Sequence, residues 1–136
     1  MRIAIMATGG VGGYFGARLS AAGHDVNFIA RGAHLQAIRD QGLRIESKLG
    51  DLTLKGVPAT DDPSEIGAVD LVMFAVKLWD TESAAAMCKP MIGPDTLVIP
   101  FQNGVSSMDR LSSVIDPANV GGGVAHIAAV IGEPGL

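Results

Sequence analysis

Ala7-Thr8-Gly9-Gly10-Val11-Gly12 follows directly on the apolar run Arg2–Met6. Glycines placed this way suit one chemical task, which is to bring backbone close to a phosphate. A dinucleotide site needs a tight turn off a strand, a close approach of backbone to the pyrophosphate, and a helix whose free N–H groups face the charge. Gly9 and Gly12 hold the second and third positions of the G-x-G-x-x-G pattern, and Ala7 stands at the first. Alanine adds one methyl group there and can still turn if its φ is negative. Gly13 and Gly16 extend a smooth helix face that can pack closely on strands. A glycine pattern alone is weak; placed after a strand and opening a helix, it reads as a nucleotide-binding turn.

The next strand end bears on which dinucleotide. Units that bind NAD carry an acidic residue about 20 positions beyond the glycines to hold the adenosine ribose. Here the strand runs out at Phe28-Ile29-Ala30-Arg31-Gly32, with no carboxylate. Arg31 supplies a planar cation that can pair with a 2′-phosphate, which a carboxylate would repel. The residues therefore favour NADP(H), with a plain surface arginine as the competing reading. His34 is read as a neutral surface histidine that assists or caps the next helix.

These residues need strands and helices to hold them. Apolar runs at Arg2–Met6, Asp25–Ala30, Val69–Val76 and Thr96–Pro100 read as strands. Val11–Ala22, His34–Gln41, Asp80–Met87 and Ser107–Val114 read as helices between them. Val120–Ile131 is expected to form a closing strand. From Leu43 to Val57 apolar and polar residues alternate, which predicts a small hairpin with one wet face. Continuous apolar strands alternating with helices imply a mostly parallel, doubly wound α/β sheet of the Rossmann type covered on both faces. Lys77 and Asn103 then fall just past the third and fourth strands, at the carboxyl edge where ligands of open α/β sheets bind. Asn offers donor and acceptor together, suiting a ribose hydroxyl and a carbonyl. A surface lysine and an ordinary Asn-Gly turn are the alternatives.

Composition narrows the remaining classes. The 136 residues are 48% hydrophobic and 18% charged, enough apolar material for one packed domain spanning residues 1–136. A net charge of −4 without a basic cluster argues against nucleic acid or an anionic membrane as partner. No segment offers the roughly 20 apolar residues of a membrane helix. One cysteine, Cys88, allows no internal disulfide and fits a cytoplasmic protein. Cys88 reads as a packing residue, His126 as a buried, hydrogen-bonded histidine, and Asp61-Asp62 as a solvated turn; no His/Cys/carboxylate spacing suggests a metal. The end at Gly132-Glu133-Pro134-Gly135-Leu136, directly after an apolar run, is expected to be a cut in a longer protein.

Taken together, Gly9–Gly16, Ala30–His34, Val76–Asp80, Gln102–Val105 and Gly122–Ala128 resemble the 2-dehydropantoate 2-reductase (ketopantoate reductase) family over essentially the whole chain. The resemblance implies that Ala7, Thr8, Gly9, Gly10, Val11 and Gly12 line the pyrophosphate and that Arg31 takes the 2′-phosphate. It implies that Lys77 contacts the cofactor, that Asn103 reaches the nicotinamide ribose and the substrate, and that backbone near Ala128 lies beside the nicotinamide. The family's catalytic lysine and a further acidic residue belong to a helical C-terminal domain absent from this chain, so no catalytic residue is expected here. The implied activity is NADPH-dependent reduction of 2-dehydropantoate to pantoate on the route to pantothenate and coenzyme A, with this fragment alone inactive. A reductase of another 2-keto acid, and a stand-alone NADP(H)-binding regulatory module, are the competing functions.

Overall fold

A computed structural model describes all residues, Met1–Leu136. The chain runs β1 (Arg2–Met6), α1 (Gly10–Ala21), β2 (Asp25–Ile29), α2 (Gly32–Gln41), β3 (Leu43–Ile45), β4 (Leu52–Leu54) and β5 (Ala59–Thr60). It continues through β6 (Val69–Phe74), α3 (Thr81–Cys88), β7 (Ile92–Pro100) and α4 (Ser107–Ser112). Five strands form a parallel sheet in the order β5-β2-β1-β6-β7, and β3 and β4 pair as a separate antiparallel hairpin. No helix is long and apolar enough to cross a membrane.

Side chains of β1 alternate between two cores, as the twofold period of a strand requires. Ile3 and Ile5 join Ala17, Phe28, Leu35 and Ile38 under α1 and α2. Ala4 and Met6 join Val72, Phe74, Ala85, Cys88 and Leu111 under α3 and α4. Both faces of the sheet are therefore buried, which is why its strands are nearly continuous apolar runs. The chain leaves β1 towards β2 on one side and pairs with β6 on the other, so the strand order reverses at β1. The crevice at the carboxyl end of that reversal is where open α/β sheets hold ligands, and the glycine turn opens there.

Two glycines show why α1 lies so close to the sheet. A Cβ on Gly16 would stand 2.7 Å from both Ile5 Cγ1 and Phe28 Cε1. One on Gly12 would stand 2.9 Å from Ile5 Cγ2 and closer still to the Ala7 carbonyl oxygen. Any other residue would push the helix off the strands.

Two sequence expectations fail here. Val120–Ile131 is not a strand: only an isolated bridge joins Val120 to Val98, with Gly121 N–H donating to Val98 O at 2.9 Å. The reason lies in Gly121 and Gly123, whose bare Cα atoms rest on the side chains of Leu97, Ile99 and Phe101. The segment thus leaves the β7 edge for its side-chain face and crosses towards the glycine turn. Ala7, secondly, turns with φ +73°, not a negative value. The chain needs the left-handed region at this corner, and alanine occupies it with strain that glycine would not have.

Candidate functional site

The glycine turn is built from β1, α1 and the end of β2. Thr8 is buried, and its backbone N–H and its Oγ1 both donate to Ile29 O, at 2.8 and 2.9 Å. That double bond to β2 holds the turn in place while Gly9 starts the helix. The first helical bond runs from Gly13 N–H to Gly9 O at 2.7 Å. The backbone N–H groups of Gly9, Gly10, Val11 and Gly12 have no acceptor in the chain. No acidic residue stands in the first turn of α1. Four consecutive free donors at the positive end of a 12-residue helix make an anion cradle, and the space beside Gly9 is open, with no atom within 4 Å of a Cβ there. These residues fit a pyrophosphate.

A cleft of about 710 Å³ adjoins this turn, lined by Gly9, Gly10, His34, Ala128 and the hairpin residues Arg44–Leu49, among others. The Ala129 backbone lies directly against Gly10, so residues 126–131 form one wall. Ala128 therefore lines the same cleft as Gly9 and Gly10. His126 does not behave as expected: it is exposed at the cleft with no hydrogen bond, because its segment is a surface crossing rather than a buried strand.

Two contributors to the cleft take places that spacing did not disclose. His34 is half-buried, with Nε2 2.7 Å from Thr8 O and Nδ1 accepting from Gly135 N–H at 2.9 Å. A carbonyl only accepts, so Nε2 carries the hydrogen, and the ring joins the glycine turn to the chain end. The hairpin's place over α1 depends on contacts such as Arg18 Nη2 to Gly50 O at 2.5 Å, between residues far apart in sequence. Arg44 also pairs with Glu133.

Arg31 caps α2 at the carboxyl end of β2. It is exposed, and its guanidinium makes no hydrogen bond or ion pair in the chain. Lys77 and Asn103 lie outside the cleft, on the loops after β6 and β7, both exposed and with side chains free of protein partners. The two loops are neighbours, since the last rungs of β6 and β7 pair Phe74 with Pro100. Cys88 is fully buried, and burial pushes its thiol up to about 12, which makes it a packing residue rather than a nucleophile. No group of three or more His, Cys, Asp or Glu side chains could hold a metal ion.

Comparison with known proteins agrees with this geometry. The family model described as "Ketopantoate reductase PanE/ApbA" matches residues 3–136. A 2-dehydropantoate 2-reductase of Mesorhizobium japonicum is 34% identical, with all of this chain aligned to 48% of the relative. The crystal structure of 2-dehydropantoate 2-reductase from Geobacter metallireducens GS-15 superposes with a TM-score of 0.93 at 35% identity, covering 99% of this chain and 44% of the other. The ternary structure of D-mandelate dehydrogenase with NADH and anilino(oxo)acetate gives a TM-score of 0.89 at 27% identity, covering 99% and 44%. The chain thus spans less than half the length of these proteins. With a Rossmann-like sheet, a glycine turn at its switch point and a family match from Ile3 to the last residue, the chain belongs to the ketopantoate reductase PanE/ApbA family of oxidoreductases.

Proposed function

We propose that this chain is the NADP(H)-binding domain, residues 1–136, of a cytoplasmic 2-dehydropantoate 2-reductase. The enzyme would reduce 2-dehydropantoate to pantoate for pantothenate and coenzyme A synthesis. The observation that carries the cofactor reading is the unpaired, exposed Arg31 at the end of β2, where no carboxylate stands. A 2′-phosphate would meet this guanidinium while the pyrophosphate lies on the N–H groups of Gly9–Gly12, with Ala7 and Thr8 shaping the turn. Lys77 would contact the cofactor, Asn103 would orient the nicotinamide ribose and the substrate carbonyl, and backbone near Ala128 would lie beside the nicotinamide ring. The bound nucleotide supplies the hydride; the chain's own residues hold and aim it. The general acid, and most substrate contacts, would come from a C-terminal domain occupying the further length that the relatives have. This chain alone is therefore expected to bind cofactor weakly and turn over nothing measurable.

Titration with NADPH and NADH tests the reading, followed through the fluorescence of Trp79, the only tryptophan. NADPH is expected to bind at least tenfold tighter, about 1.4 kcal/mol, and Arg31→Ala to remove the preference. Equal or tighter binding of NADH overturns the assignment of Arg31.

One observation favours a second reading. The likeness to a D-mandelate dehydrogenase solved with NADH and an oxoacetate derivative is compatible with a reductase of a different 2-keto acid. A panel of 2-keto acids given to the full-length enzyme separates the two.

A further inference from the structure

The loops that carry Lys77 and Asn103 are held together by one side chain to which neither composition nor motif assigned a role. Backbone pairing between β6 and β7 ends where Phe101 N–H donates to Phe74 O at 2.8 Å. Beyond that rung the side chain of Gln102 takes over. Its Nε2 donates to Val76 O at 3.0 Å and to Thr81 Oγ1 at 2.9 Å. Thr81 is fully buried and passes the connection on, its Oγ1 donating to Leu78 O at 2.7 Å. Val76 O can only accept, so the amide nitrogen must face it, and both amide hydrogens are used.

We propose that Gln102 is a positioning residue, which bridges the β6 and β7 loops and so sets the spacing between Lys77 and Asn103. The inference rests on the cofactor reading given above. Val76 immediately precedes Lys77, Leu78 immediately follows it, and Gln102 immediately precedes Asn103. The bridge therefore grips backbone on both sides of Lys77 and next to Asn103, while the side chains of Lys77 and Asn103 stay free for a ligand. Gly104, at φ +97°, turns the second loop so that a Cβ there would stand 3.9 Å from Leu78 Cδ1. A side chain in place of the next backbone rung holds the strand ends together yet lets them splay open as a ligand-facing edge.

The test compares Gln102→Met, which keeps volume and loses both bonds, with Thr81→Val and with Thr81→Ser, which keeps the hydroxyl. Two ligands are titrated into the 136-residue chain: NADPH, and adenosine 2′,5′-bisphosphate, which has no nicotinamide half. Gln102→Met and Thr81→Val are each expected to weaken NADPH roughly tenfold, from one or two lost hydrogen bonds. Adenosine 2′,5′-bisphosphate should bind all variants like the wild type, and Thr81→Ser should bind NADPH like the wild type. Amide hydrogen exchange of the unliganded Gln102→Met chain should quicken at residues 77–80 and 103–105 and not in β1. Unchanged NADPH affinity or unchanged exchange in Gln102→Met overturns the bridging role, as does parallel weakening of both nucleotides, which marks a general loss of structure. If the wild-type chain binds neither NADPH nor NADH, the cofactor reading fails and takes this role with it. Wild-type binding with an unaffected Gln102→Met variant removes the positioning role alone.

Discussion

The Cα of Gly16 faces the ring edge of Phe28 so closely that a Cβ would lie 2.7 Å from Cε1. Phe28 is completely buried, as is Ile5 on the other side of the same point. Neither side chain has space to retreat. Gly16→Ala gains about 1 kcal/mol of helix propensity and loses more to overpacking, typically about 1–3 kcal/mol. We expect a net destabilisation of up to about 2 kcal/mol in urea unfolding. Gly9→Ala meets no atom within 4 Å and should change stability by less than about 1 kcal/mol, while weakening NADPH, because its methyl group enters the open space beside the free N–H groups. A larger loss of stability in Gly9→Ala than in Gly16→Ala would contradict this division between packing and binding glycines.

Ala7 at φ +73° predicts an uncommon outcome, a glycine substitution that stabilises. Left-handed backbone costs a non-glycine residue roughly 1–2 kcal/mol, part of which glycine returns through its freer unfolded chain. Ala7→Gly should raise the urea midpoint by an amount equivalent to about 0.5–1 kcal/mol. A lower midpoint would mean that the alanine methyl contributes packing that outweighs the strain.

Cys88 links stability to alkaline pH. Its folded value, about 12, lies above the ordinary 9.0 because burial disfavours the thiolate. The stabilising difference is therefore fully present below pH 9.0 and is lost as pH rises from there towards 12. At pH 8 the thiol should resist a disulfide reagent in the folded chain and react at once in denaturant. Cys88→Ala should flatten the fall in stability above pH 9. Rapid labelling of the native chain would refute the burial argument.

Arg110 and Glu82 join α4 to α3 through two bonds of 2.7 Å. The guanidinium holds the Glu82 carboxyl below its ordinary 4.5. Stability from this pair is present above pH 4.5 and is lost as pH falls through the lower folded value. Both groups face solvent, so the contribution should be small and shrink with added salt. Glu82→Gln should be slightly less stable than wild type at pH 7 and low salt, and equal to it well below pH 4. A difference that persists at high salt would point to packing rather than charge.

Much of this protein was legible in its residues because the signals are local. Apolar runs of strand length, separated by helical stretches, announced a parallel sheet with both faces covered, and the alternation in Leu43–Val57 announced the hairpin. The glycine turn from β1 into α1 was legible too, since close approach of helix to strand depends on small residues that are adjacent in the chain. Arg31, Lys77 and Asn103 could be placed at the carboxyl edge because each follows a strand. The fate of Val120–Ile131 was not legible: apolar residues serve a strand edge or a side-chain face equally, and only the side chains of Leu97, Ile99 and Phe101 decide between them.

The sequence by itself determined most local elements, the glycine turn and the sign of the charge at the end of β2, because neighbouring residues suffice for each. The tertiary structure alone decided that Ala7 turns through positive φ, that His34 joins Thr8 to Gly135, and that Gln102 bridges Val76 to Thr81. Those last contacts span between 21 and 101 residues. Contacts across such separations exist only once both cores have closed the sheet between its helices.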